Sequence, residues 1–158
     1  MSAVVVAYSP DQYGEAALEA GVEEARRREV ALVVVNATRG DAYVDPHFAD
    51  ADTVARLRGR VGQVEVIQEV VPDVGGEVVR VAEERDAELV VVGIRHRSPV
   101  GKALMGSVSQ RILLDARCPV LAVKPRVEQD PLRHAAHQGL ADRRTVPDAD
   151  HHELRVAL

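Results

Sequence analysis

Residues 90–114 read VVVGIRHRSPVGKALMGSVSQRILL, and the order of parts in this stretch decides the fold. An apolar run closes on Gly93, a loop carrying Arg95, Arg97 and Lys102 follows, and the Gly106-Ser107 step opens an amphipathic segment. A strand that ends in a glycine-bearing loop before a helix N-terminus is how α/β proteins present backbone N–H groups to phosphate. The stretch therefore predicts a strand–loop–helix unit with an anion or nucleotide pocket at its loop. It names no reaction.

Outward from this unit the same alternation repeats. Apolar runs at Ala3–Ala7 (AVVVA), 30–35 (VALVVV), 64–71, 89–92 (LVVV) and Val120–Val123 (VLAV) have strand length. The second, fourth and fifth are continuously apolar, the pattern expected of strands buried on both faces. Between the runs, segments 11–28, 51–61, 74–85 and 107–117 carry helical periodicity. In the first, Leu18, Val22 and Ala25 share a face with Ala17 beside them; Gly21, a weak helix former, sits within the segment but leaves the stripe intact. Strand–helix alternation predicts an α/β fold with a parallel sheet, right-handed crossovers and helices on both faces. Residues 38–52 (TRGDAYVDPHFADAD) read as a long, acidic, turn-rich loop. The pattern assigns residues 1–126 to one domain. Residues 127–158 have no sustained period and hold four of the six histidines; they read as a mobile C-terminal tail.

Composition narrows the class. A chain of 158 residues with 46% hydrophobic content can bury one sizeable core, and 3% aromatic content makes that core aliphatic. The net charge of −5 provides no basic field for nucleic acid. No apolar run approaches the ~18 residues of a membrane span, and the start MSAVVVAYS lacks the basic n-region of a signal peptide. A cytoplasmic protein is expected. The single cysteine, Cys118, precludes an internal disulfide and reads as an apolar filler at a strand mouth more readily than as a nucleophile.

Two phosphate motifs are absent. The first strand runs into Tyr8-Ser9-Pro10-Asp11 and not into Gly-x-Gly-x-x-Gly, and a P-loop ending at Gly101-Lys102 would need Gly at His96 and Ser or Thr at Ala103. The pattern that is present, Gly93-Ile94-Arg95-His96, nine further residues, then Gly106-Ser107, resembles the universal stress protein family, whose nucleotide binders carry Gly-x-x-Gly, nine residues, and Gly-Ser or Gly-Thr. GSVSQRILLDARCPVLAVKP and the opening VVVAYSPDQYGEAALEAG look like the same family, so the resemblance spans residues 3–125. It implies a three-layer α/β/α fold with a five-stranded, parallel, doubly wound sheet of order 3-2-1-4-5, adenine nucleotide alpha hydrolase-like. It further implies a regulatory protein of the stress response that binds ATP or AMP, with Mg²⁺ accompanying ATP, and a homodimer paired through Val120–Val123. The family also contains members that bind no nucleotide and act as interaction or scaffold proteins, and that reading stays open. No catalytic triad or carboxylate pair stands beside the loop, so ATP hydrolysis ranks last.

Carried onto this chain, the family's pocket would use Ser9, Ala37, Val92, Gly93, His96, Gly106, Ser107, Val108 and Ser109. Gly93 would admit the ribose and phosphates, and residues 106–109 would offer amide and hydroxyl donors at a helix start. Ala37 would contact adenine through its backbone. Two positions depart from the binders' pattern: Ser9 stands where they usually have Asp, and His96 where they have the second loop glycine. Local readings compete with some of these roles. Ser9-Pro10-Asp11-Gln12 fits a helix start with Ser9 as N-cap, and Ser107 with Gln110 has the same capping-box form. Arg95, Arg97 and Lys102 read equally as a solvated loop. The pairs His134/His137 and His151/His152 lack accompanying cysteines and read as incidental to metal binding.

Overall fold

The computed structural model describes residues 2–40, 45–94 and 106–126. The assigned tail, 127–158, lies outside them. Among the described residues five strands and four helices alternate: β1 (Ala3–Ala7), α1 (Gln12–Arg28), β2 (Ala31–Thr38), α2 (Ala51–Val61), β3 (Glu65–Val70), α3 (Val74–Glu84), β4 (Ala87–Gly93), α4 (Ser107–Asp115) and β5 (Val120–Val123). All sheet pairings are parallel and the order is β3-β2-β1-β4-β5, as the resemblance implied.

The two-residue period of the strands sorts the core into two aliphatic layers. Val4 and Val6 of β1, Leu32 and Val34 of β2, and Leu89 and Val91 of β4 face α1 and α2, where they meet Leu18, Ala25 and Leu57. Their alternates, Val5, Val33, Val35, Val90 and Val92, face α3 and α4 and meet Val78, Val81 and Ile112. Each such side chain, taken fully out of water, contributes about 1.5–3 kcal/mol. The three central strands are therefore the thermodynamic centre of the sheet.

Three expectations need correction. β5 is apolar but not buried on both faces; among the described residues it is an edge strand bonded to β4 alone, with Val120, Leu121 and Val123 part-buried and Ala122 exposed. Its apolar run covers the ends of the two core layers, with Leu121 and Val123 on one side and Val120 on the other. β2 extends three residues past the expected end, to Thr38, because Asn36 and Thr38 are polar yet buried. Gly21, read as a weak point in α1, is a packing requirement: a Cβ there would lie 2.2 Å from Val6 Cγ2. The glycine lets α1 settle directly on β1.

Among the described residues no helix is long and apolar enough to cross a membrane.

Candidate functional site

The strand order reverses direction at β1. The chain leaves β1 for β2 on one side, and later places β4 on the other, so the crossovers diverge and leave a crevice beyond the strand C-termini. A cavity of about 370 Å³ occupies that position, within the ~300–1,000 Å³ range of small-molecule sites. Ala7, Tyr8 and Ser9 line it from β1, Ala37, Thr38 and Arg39 from β2, Val92 and Gly93 from β4, and Gly106, Ser107, Val108 and Ser109 from the start of α4. All the sequence candidates except His96 meet there. His96 lies outside the described residues, as do Arg95, Arg97 and Lys102.

The first turn of α4 is the most distinctive wall. A helix start leaves N–H groups without intrahelical partners. The N-cap is Gly106, in extended conformation, and among the described residues no side chain caps the helix. The capping-box reading of Ser107 with Gln110 is thus incorrect; the Gln110 N–H bonds to the Gly106 carbonyl at 3.0 Å, an ordinary helical bond. A Cβ added at Gly106 would meet nothing within 4 Å among the described residues, so this glycine borders open space. Ser109 is buried and its hydroxyl is turned to the Gly93 carbonyl at 3.4 Å, which ties α4 to the end of β4. The α1, α2 and α3 starts differ: Asp11, Asp50 and Asp73 each accept hydrogen bonds from first-turn amides.

The start of α1 corrects the second cap. Asp11, not Ser9, is the N-cap, with its Oδ1 accepting from the Tyr13 and Gly14 amides at 2.9 Å. Ser9 accepts the Asp11 N–H through its carbonyl at 2.8 Å. The turn needs its glycines for contact, not for φ. A Cβ on Gly14 would sit 1.9 Å from the Ser9 oxygen, and one on Gly93 would sit 2.2 Å from the Tyr13 oxygen. Gly93 therefore first admits the α1 backbone against β4, a role its sequence context did not reveal.

The remaining wall comes from the loop after β2. Asn36, fully buried, donates through Nδ2 to the carbonyls of Tyr8 (3.0 Å) and His47 (2.9 Å). Its Oδ1 accepts from the Ala49 amide (2.7 Å) and from Gln68 Nε2 (3.2 Å), which also reaches the Ala49 carbonyl at 2.8 Å. Every hydrogen-bonding site of this buried amide is used, so the knot is rigid. It clamps the loop to the sheet and brings Asp45 and His47 to the cavity. Asp45 bonds the Thr38 hydroxyl and, at 2.9 Å, the His47 amide. His47 Nδ1 stands 3.6 Å from Asp11 Oδ2. Behind them the Tyr8 hydroxyl donates to Glu15 at 2.8 Å, and burial, reinforced by that carboxylate, pushes the phenol above its ordinary range. Sequence reasoning missed Tyr8, Asp11, Asp45 and His47. The available signal was the length of the 38–52 loop, since long loops in compact domains often carry function.

Chemically, the cavity joins an end at the start of α4, lined by backbone and hydroxyl groups, to a carboxylate-bearing end at α1 and the β2 loop. A parallel, doubly wound sheet with this opening at its switch point defines an α/β protein of the nucleotide alpha hydrolase-like fold. Comparison with known proteins makes the assignment closer. The model of the universal stress protein family matches residues 1–124. A universal stress protein of Mycolicibacterium smegmatis is 52% identical over 126 residues, covering 77% of this chain and 97% of that one. The chain belongs to the universal stress protein family. Among solved structures, a universal stress protein of Archaeoglobus fulgidus superposes with a TM-score of 0.65 at 30% identity, over 78% of this chain and 99% of the other. A second from that organism, in complex with dAMP, gives 0.57 at 25% identity over 78% and 98%.

Proposed function

We propose that this chain is a cytoplasmic regulatory protein of the stress response that binds an adenine nucleotide, AMP or ATP, in the cavity between β1, β2 and β4. The observation that carries the reading is the start of α4: it opens into a cavity of nucleotide-compatible size with no side-chain cap among the described residues, while α1, α2 and α3 are capped by aspartate. The N–H groups of a helix's first turn and the positive end of its dipole favour a phosphate there. Gly106, Ser107 and Val108 take the phosphates, and Ala37 and Val92 line the base and ribose. The dAMP complex of the A. fulgidus relative supports an adenylate as the ligand class. Among the described residues the α4 end offers amides and hydroxyls rather than carboxylates, a donor set suited to phosphate itself. With ATP, Mg²⁺ would be held chiefly by the phosphates.

The protein is further proposed to be a homodimer through β5. An unpaired apolar edge is a liability that pairing with a second copy removes. β5 is such an edge among the described strands.

The direct experiment is to denature the purified chain, identify any released nucleotide by mass spectrometry, and titrate AMP and ATP by calorimetry. Bound adenylate or micromolar heats with either ligand are expected. An empty protein with no heat of binding overturns the proposal and leaves the interaction-protein reading of the family.

A further inference from the structure

A second cavity, of about 280 Å³, lies between α1 and α2 and shares Tyr8 and Asp11 with the first as a common wall. α2 turns one stripe toward it: Thr53, Arg56, Leu57 and Arg60, at the i, i+3, i+4 and i+7 spacing of a single helix face. Leu57 is buried and, with Tyr8, belongs to the apolar core beneath the cavity. Arg56 and Arg60 stand one turn apart, and like charges at that spacing repel. Arg60 is relieved, because its Nη1 donates to Glu15 Oε2 at 2.8 Å. Arg56 is not. Its Nη2 donates to the uncharged Thr53 hydroxyl at 2.7 Å. Its charge is felt at Asp50 and at the Tyr8 phenol, yet among the described residues it has no ion pair.

Donors also outnumber acceptors here. A guanidinium carries five N–H groups, and each of these two has one described side-chain bond. The carboxylates that share the wall are occupied. Glu15 takes the Tyr8 hydroxyl on Oε1 and Arg60 on Oε2. Asp11 takes two amides on Oδ1, and beside its Oδ2 stands His47, which lines the first cavity. We infer that the cavity between α1 and α2 is a second binding site, for a small oxyanion whose carboxylate or phosphate group bridges Arg56 and Arg60. The planar fork of a guanidinium matches either group. The ligand gives Arg56 the counter-charge that Glu15 gives Arg60, and Thr53 and Glu15 hold both guanidinium groups in place beforehand. The cavity is smaller than the ~300–1,000 Å³ of drug-sized sites, so its ligand is compact and is not a nucleotide. Nothing in this grip depends on what fills the first cavity.

The full-length wild type and Arg56→Gln, isotope-labelled, are titrated with sodium phosphate and with sodium acetate at an ionic strength held constant with sodium chloride. NMR follows the arginine Nε–H and backbone amide signals. Arg56 is exposed, so the variant keeps the wild-type backbone spectrum away from α2. The expected result is a saturable shift of the Arg56 and Arg60 signals, half complete at about millimolar anion, with at least one of the two salts. In Arg56→Gln the same binding, read at Arg60 and the Thr53 amide, weakens about ten-fold or more. Saturation by phosphate alone assigns a phosphorylated ligand, by acetate alone a carboxylate, and by both a site for either. Shifts at residues 106–109 with none at Arg56 and Arg60 place the anion in the first cavity alone and overturn the inference. A shift that grows without saturating, or equal affinity in the two proteins, overturns it as well.

Discussion

At the residue scale, glycines divide into those that make room and those that merely occupy a helix. Gly21 and Gly93 belong to the first group, since an added Cβ would fall inside the Val6 side chain or the Tyr13 carbonyl. Gly59 of α2 belongs to the second, because a Cβ there meets nothing within 4 Å. Gly21→Ala is therefore expected to destabilise by about 1–3 kcal/mol through overpacking. Gly59→Ala should stabilise by about 0.5–1 kcal/mol through helix propensity and reduced freedom of the unfolded chain. Urea unfolding of the two variants checks both signs, and equal effects would deny the distinction. Both are glycines inside helical patterns; the spacing puts Gly21 on the apolar stripe, three residues after Leu18 and four before Ala25, but only the distance to β1 shows that its side chain must be missing. The same reason hid the true cap of α1: Ser9 and Asp11 are equally good N-cap residues, and the choice falls on whichever residue the first strand delivers to the turn.

At the element scale, helix starts trade stability against function. Asp50 is held below its ordinary range first by the Thr53 side-chain hydrogen bond and then by the Thr53 amide. Asp73 is held down first by the Gly76 amide and then by the charge of Arg111. Both folded values lie below those of the unfolded chain, so their contribution is present above the ordinary aspartate pKa of ~3.9 and is lost as pH falls through the folded values. The urea midpoint should decline between about pH 5 and pH 3, and the decline should be shallower in the double variant Asp50→Asn, Asp73→Asn, which keeps the caps without the titrating charge. An identical profile would mean that other carboxylates govern acid unfolding. α4 has no such cap. Gly106→Asp fits sterically, since its Cβ meets nothing within 4 Å among the described residues. The new carboxylate should raise stability by roughly 0.5 kcal/mol through the amides and the dipole, yet eliminate calorimetric binding of AMP by occupying the anion's place. Retained binding would put the phosphate elsewhere.

At the scale of the whole molecule, the layering was legible and its edges were not. Valine runs of strand length, separated by helical stripes, required a parallel sheet, and the family resemblance supplied the order that the structure shows. The exposure of β5 was hidden because an apolar run reads alike whether a neighbour or the surface lies beside it. The edge also shows how the proposed dimer can be tested. Val90 donates to the Pro119 carbonyl and Ile94 to that of Val123, so the odd residues of β5 turn to β4 and the even ones outward. Ala122→Pro removes one outward N–H while sparing the β4 ladder, a placement that edge strands tolerate. Light scattering should find a dimer for wild type and a monomer for the variant; a monomeric wild type refutes the assembly. A final consequence lies in the Asn36–Gln68 knot. It is made of carboxamides and main-chain groups, none of which gains or loses a proton across the biological range. Acidification that loosens the aspartate-capped helices therefore leaves this clasp chemically untouched, and the segment presenting His47 and Asp45 keeps its seat under the conditions in which the rest of the protein is most strained.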